Sequence, residues 1–264
     1  MPSIEVSGAR LFYTLSGKAD APVLMMSNSL GTTLEMWQPQ LAAMEGRFHL
    51  LRYDMRGHGK SDVTEAACSI ATLGQDVLSL LDELQIEKVH FCGLSIGGVI
   101  GQWLGANAPQ RLKSLVLCNT AATIGTLDSW NERIAAVEQG GVASIADAAI
   151  QRWFTPAFRL ASPGAVAPLQ AMLLATNPRG YVLLCAALRD MDQRKLVERI
   201  HLPTFIIAGD HDPATTLEDA KFLQGRIPGA KLVSLPVAHI SNVEAADQFN
   251  AAVIEFLQGI DNRA

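Results

Sequence analysis

Short apolar runs alternate with stretches of helical periodicity along most of this chain. Residues 4–6 and 11–15 read as two strands around a Ser-Gly turn, an opening hairpin. Residues 23–26 are an apolar run of strand length, suited to burial on both faces. That run ends in a loop of mostly small polar residues, Ser27-Asn28-Ser29-Leu30-Gly31-Thr32-Thr33. Residues 36–44 follow as a helix and 49–53 as the next strand. A second, glycine-punctuated loop comes next, Asp54-Met55-Arg56-Gly57-His58-Gly59-Lys60-Ser61. Residues 70–84 repeat apolar positions at helical spacing, with Asp76, Asp82 and Glu83 on other faces. Strand patterns at 89–92 and 115–118 then flank a helical one at 99–108.

From residue 121 to 192 the alternation stops. Helical segments at 130–137, 144–153, 166–175 and 181–189 follow one another, with Pro156, Pro163, Pro168 and Pro178 between them. A strand at 204–208 restores the alternation, followed by a helix at 217–224, a strand at 231–235 and a helix at 245–257. The pattern predicts an α/β fold with a mostly parallel sheet covered on both sides. Its core is formed by residues 1–120 and 193–264, and the all-helical insertion 121–192 is a cap over one end of the sheet.

Composition narrows the function classes. A chain of 264 residues can bury most of its apolar surface as one domain without disulfides. The formal charge is −5 with no basic tract, which argues against nucleic acid as a partner. Residues 89–110 carry no formal charge over about the length of a membrane span, but glycines and polar residues interrupt them. A buried strand and helix fit that stretch better, and no membrane segment is expected. Cys68, Cys92, Cys118 and Cys185 are scattered without metal spacing. The start, Met1-Pro2-Ser3-Ile4-Glu5, has neither a basic region nor an apolar core, so a cytoplasmic protein is expected.

The chemistry starts at Gly93-Leu94-Ser95-Ile96-Gly97, a Gly-x-Ser-x-Gly sequence between a strand pattern and a helix pattern. That context is the nucleophile elbow of serine hydrolases. The bland alternative is a glycine-rich strand end whose serine caps a helix. A serine hydroxyl is a weak nucleophile and needs an oriented base. In the elbow fold the order is serine, acid, histidine. Candidate acids follow the returning strand, in Gly209-Asp210-His211-Asp212-Pro213, and His239 follows the last one. Strand ends of a parallel sheet share one edge, so the three can converge. Asp212, deeper in its loop, is favoured over Asp210 as the group orienting His239; Asp210 is expected to bond loop backbone. The oxyanion hole is assigned to the N–H of Ile96 and, from the loop after the 23–26 strand, the N–H of Leu30. One such donor typically contributes about 3 kcal/mol to transition-state stabilisation.

The remaining histidines take structural readings. His58, between glycines, is expected to fix its loop; His49, His90 and His201 sit at strand edges. His211 lies beside two aspartates but has no second ligand cluster, so no metal is expected, and no phosphate-loop motif or other cofactor signature occurs.

With these residues in view, the chain resembles the α/β-hydrolase fold family over essentially its whole length. The matching pieces are the Asp54–Ser61 loop sequence, the Ser95 elbow, Gly209-Asp210-His211-Asp212 and His239. The resemblance implies an eight-stranded sheet flanked by helices and strengthens Asp212 as the acid. One departure is Asn28-Ser29, where many members have His-Gly, so the oxyanion loop must be supported differently. More narrowly, Ser27-Asn28-Ser29-Leu30-Gly31-Thr32 with Met36-Trp37, together with Ala186-Ala187-Leu188-Arg189-Asp190-Met191-Asp192, resembles 3-oxoadipate enol-lactone hydrolases of the β-ketoadipate pathway. This resemblance implies hydrolysis of a small, carboxylate-bearing enol-lactone to 3-oxoadipate during bacterial breakdown of protocatechuate or catechol. The same machinery would serve a general carboxylesterase or a hydrolase of ring-cleavage products, and a non-catalytic receptor of this fold is a remote alternative. A substrate anion calls for a cationic partner, for which the cap offers Arg133, Arg152 and Arg189, with Trp130 and Trp153 as apolar walls. The oligomeric state is left open by the sequence.

Overall fold

The computed structural model of the protein describes residues 3–6 and 8–262. Two strands, β1 (Ser3–Val6) and β2 (Ala9–Gly17), form the opening hairpin. Its turn includes Gly8 at φ +76°; Ser7, the other expected turn residue, lies outside the described residues. After β3 (Val23–Ser27), α1 (Gln38–Met44) and β4 (His49–Tyr53) come α2 (Ile70–Glu83) and β5 (Val89–Leu94). Next are α3 (Ile96–Asn107) and β6 (Leu112–Cys118). The strands form one eight-stranded sheet in the order β1-β2-β4-β3-β5-β6-β7-β8, the last two being β7 (Thr204–Gly209) and β8 (Lys231–Leu235). Only the β1–β2 and β2–β4 pairings are antiparallel.

Central strands are largely buried and mostly apolar because helices cover both faces. On one face, Phe91, Leu115 and Leu117 meet α3 at Gly101 and Gly105, where the absent Cβ lets the helix lie close to the sheet. On the other, buried His90 bonds Ser114 Oγ at 2.8 Å and, through Nε2, Asp261 Oδ1 at 3.1 Å. That second contact ties the end of α11 (Ala246–Asp261) to the sheet. Trp37 and Phe249 pack with ring centroids 6.2 Å apart beside α1 and α11.

Between β6 and β7 the chain is helical, with no strand among the described residues there. The five helices are α4 (Leu127–Gly140), α5 (Ala143–Trp153), α6 (Pro156–Ala161), α7 (Pro163–Ala175) and α8 (Pro178–Arg189). The sequence pattern missed α6 and misread the prolines as separators. Pro156, Pro163 and Pro178 each stand in a first helical turn, where the missing N–H has no intrahelical partner to lose. Pro168 lies inside α7. The helices α9 (Leu217–Arg226) and α10 (Ser241–Glu244) complete the fold.

Three expectations need correction. The helix after the elbow begins at Ile96, three residues before the expected start, because tertiary packing overrides the low helix propensity of Gly97 and Gly98. The expected helix at 36–44 opens as a 3-10 turn, Leu34–Trp37, before α1. Asp76 does not face solvent: it is 1% exposed and takes Arg56 Nε at 2.9 Å and Nη2 at 2.5 Å, a bidentate pair that ties the second loop to α2. No single helix among the described residues is long and apolar enough to cross a membrane; α7 and α8 together are apolar but meet at 95°.

Candidate active site

Ser95 stands between β5 and α3 with φ +59° and ψ −118°, a conformation L-residues rarely adopt. Its backbone is held on both sides: the Ser95 N–H donates to Cys118 O at 2.9 Å, and Thr120 Oγ1 donates to Ser95 O at 2.8 Å. The flanking glycines are steric requirements. A Cβ on Gly93 would overlap the Gly97 carbonyl, and one on Gly97 would overlap the carbonyls of Ser27 and Asn28.

Two further strand ends deliver the candidate acid and base. Beyond β7, Asp212 Oδ2 lies 2.7 Å from His239 Nδ1, and His239 itself stands in the loop beyond β8. The same carboxylate oxygen accepts Thr215 Oγ1 at 2.7 Å and Asn119 Nδ2 at 3.0 Å, while Oδ1 accepts the N–H groups of Ala214 (2.8 Å) and Thr215 (3.1 Å). Burial alone would raise the Asp212 pKa. The adjacent imidazolium charge and the hydrogen bonds from His239, Thr215 and Asn119 outweigh it and hold the group down at about 2. With Nδ1 donating to Asp212, the imidazole keeps Nε2 as its basic nitrogen. Asp210 is exposed, and the backbone bonds expected of it are made by Asp212 instead.

Ser95 and His239 line one cavity of about 190 Å³, together with Leu30 and Ser29. No hydrogen bond joins the Ser95 hydroxyl to His239 in this arrangement; resting sites commonly leave this contact long until substrate binds. At the oxyanion position, the neighbouring amides are already engaged. Ser29 N–H meets Met36 Sδ at 3.3 Å, Gly31 N–H meets His58 Nε2 at 3.0 Å and Thr32 N–H meets Ser29 O at 3.2 Å. The Gly97 N–H donates to Asn28 O at 3.1 Å. Among the described residues the N–H groups of Leu30 and Ile96 meet no acceptor, so both are available to a developing oxyanion, at the positive end of α3.

The Asn28-Ser29 departure now has its physical account. Fully buried Asn28 donates through Nδ2 to Tyr53 O at 2.8 Å and accepts Trp37 Nε1 at 2.9 Å, tying the loop to β4 and to the helical segment that follows. His58 acts beyond its own loop by accepting the Gly31 amide. Burial lowers its pKa to about 4, so the ring is neutral and Nε2 can accept. Buried Asp54 adds a brace, taking the N–H groups of Leu34 (2.8 Å) and Lys60 (2.9 Å).

The inserted helices close the cavity. Trp130, Arg133, Arg152 and Trp153 line it; Arg189 does not, being paired with Asp190 and Asn131 outside it. Arg133 lies over the Trp130 ring at 4.8 Å, and Trp130 Nε1 donates to Ile124 O at 2.6 Å. Burial and the like charge of Arg133 lower the Arg152 pKa. Neither Arg133 nor Arg152 meets a carboxylate among the described residues. Tyr181 was not foreseen: it lines the cavity, would block a side chain at Gly31, and is held protonated by burial with its pKa pushed up to about 12. Asn119 and Thr215 were also missed. Their strand-end positions beside Asp212 were visible, but nothing local marked them as its donors.

A serine at a strand–helix elbow, an Asp–His pair beyond β7 and β8 and two unengaged amides beside the elbow form a candidate serine hydrolase site on an α/β-hydrolase sheet. A family model described as the alpha/beta hydrolase fold matches residues 22–246, and the chain belongs to that family. Among individual proteins, it is 44% identical to 3-oxoadipate enol-lactonase 2 of Acinetobacter baylyi, over 92% of this chain and 91% of the relative. It is 40% identical to 3-oxoadipate enol-lactonase 1 of the same organism, over 96% of this chain and 95% of that one. The crystal structure of the enol-lactonase from Burkholderia xenovorans LB400 superposes with a TM-score of 0.96 at 40% identity, covering 97% of this chain and all (100%) of the other.

Proposed function

We propose that the protein is a serine hydrolase that opens the lactone ring of 3-oxoadipate enol-lactone to give 3-oxoadipate in aromatic compound catabolism. The observation that carries the substrate class is the cavity wall. Two arginines without carboxylate partners share a cavity of about 190 Å³ with Ser95 and His239. That volume is below the roughly 300–1,000 Å³ of drug-sized sites, which favours a small anion. Residues 121–192 form the cap that carries this wall. The four free cysteines accord with a reducing, cytoplasmic setting.

In the reaction, Ser95 Oγ attacks the lactone carbonyl as His239 Nε2 takes its proton and Asp212 stabilises the imidazolium. The N–H groups of Leu30 and Ile96 bind the oxyanion. Collapse breaks the ring C–O bond; the departing enolate remains on the acyl chain and takes up the proton held by His239, which gives the ketone and frees Nε2 to act as a base again. Water, deprotonated by His239, then releases the acyl group from Ser95. Arg133 and Arg152 hold the substrate carboxylate, Tyr181 offers a neutral donor, and Trp130 and Trp153 wall the apolar side.

Steady-state rates on the enol-lactone and on an uncharged aryl ester of similar size test this reading. The expected result is a higher kcat/KM for the lactone and loss of turnover on both substrates in Ser95→Ala. A clear preference for the aryl ester would refute the assigned substrate, and near-normal turnover by Ser95→Ala would refute the mechanism.

A further inference from the structure

Glu244 has no part in the chemistry above, yet its carboxylate bridges the two halves of the site. At the end of α10 it accepts the Thr155 N–H at 3.1 Å through Oε1, together with the Thr155 hydroxyl, and the Ala238 N–H at 3.0 Å through Oε2. Thr155 is the N-cap of α6, two residues after Trp153 of the cavity wall; Ala238 immediately precedes His239. A second tie runs parallel, from the Ile240 N–H to Trp153 O at 3.0 Å. Between them Phe154 is fully buried and stacks on Phe158 with centroids 5.5 Å apart. The cap and the base-bearing loop therefore meet at one carboxylate that satisfies donors from both.

We propose that Glu244 is a positioning residue that latches the Trp153 end of the cap to the His239 loop, so that the cationic wall and the general base keep one fixed separation. The argument rests on the hydrolase reading above. A hydrogen bond to an ionised acceptor is about twice as strong as a neutral one, and the carboxylate makes such bonds to both partners. Without it, the backbone tie through Ile240 remains, so the cap stays folded while its register with His239 loosens. The carboxylate of the substrate and its scissile carbonyl would then be held by two parts that move independently.

The test uses Glu244→Ala, Glu244→Gln, Thr155→Val, Thr155→Ser and the Glu244→Ala/Thr155→Val double variant, with rates expressed per active site titrated by an acylating ester. Glu244→Ala is expected to raise KM for the carboxylate-bearing lactone about tenfold and to lower kcat several-fold, in line with losing charge-assisted hydrogen bonds. Glu244→Gln shows the same pattern more weakly, because its amide opposes one of the two sets of donors. Thr155→Val raises KM with little change in kcat, Thr155→Ser, which keeps both the cap and the bond to Glu244, restores it, and the double variant loses less than the sum of the two single losses. If Glu244→Ala does not fold, Glu244→Gln and the Thr155 pair supply the readout. Values of kcat and KM within twofold of wild type in both Glu244 variants would overturn the proposal. Additive effects in the double variant would do the same, since they would show two independent structural losses. If the wild type prefers the aryl ester, the substrate assignment fails while the latch is still read from kcat on that ester.

Discussion

His58 offers a quantitative check on how the oxyanion loop is held. Its ring is 1% exposed, and Nε2 accepts the Gly31 amide at 3.0 Å, next to the Leu30 N–H assigned to the oxyanion. Protonation would convert that acceptor into a donor facing a donor. Burial lowers the pKa from 6.5 to about 4. The sign follows from linkage. Above pH 6.5 neither state binds the proton and the residue is silent; below it the unfolded chain gains a proton that the folded one refuses, so stability falls with pH. At roughly 1.4 kcal/mol per pH unit, the full loss is about 3 kcal/mol, most of which has gone by pH 4.5. Urea unfolding of wild type and His58→Gln between pH 7 and 4.5 measures it. Glutamine can accept the same amide and does not titrate. Asp54 and Asp76, whose pKa values burial raises, run the opposite way, but both proteins contain them and the difference cancels their contribution. The wild-type stability should fall relative to the variant by about 2 kcal/mol over this range. A flat difference would show that His58 is not a buried neutral acceptor and would remove the account of how the loop is held.

Three further outcomes follow from the same geometry. Asp212→Asn removes the charge opposite the imidazolium and should lower kcat by about four orders of magnitude with the circular dichroism spectrum unchanged; a loss below tenfold would return the acid role to Asp210. Arg133→Met and Arg152→Met should each raise KM for the carboxylate-bearing lactone by roughly tenfold or more, while Arg189→Met stays within about twofold, as the loss of one charged hydrogen bond predicts; equal KM values across all three would place the substrate anion elsewhere. Gly97→Ala sets a methyl against the Ser27 and Asn28 carbonyls and should cost about 2 kcal/mol in urea unfolding, together with most of the activity; an unchanged unfolding midpoint would mean that the elbow and the oxyanion loop are not in contact.

Much of this was legible before any coordinates because the signals were local. Burial on both faces writes itself as a short apolar run, which is why residues 49–53 match β4 residue for residue; residues 231–235 match edge strand β8 equally well. Ser95, Asp212 and His239 could be picked out because each directly follows such a run, and parallel strands bring their ends to one edge. Where local signals mislead, packing decides: Gly97 and Gly98 have low helix propensity but lie in the first turn of α3, where a side chain would meet the neighbouring backbone or Thr120.

What the chain order alone determined was the alternation of strand and helix, the interrupting helical insertion and the order of nucleophile, acid and base, since each depends on residues close together in sequence. Contacts between distant segments were decided only by folding. The Asn28 and His58 supports of the oxyanion loop, Asn119 on Asp212, Arg152 rather than Arg189 at the cavity, and Glu244 between cap and base all depend on groups from separate segments of the chain. Such pairings leave no periodic trace, because a hydrogen bond is directional and short-ranged: it exists only once the backbone has placed donor and acceptor within about 3 Å.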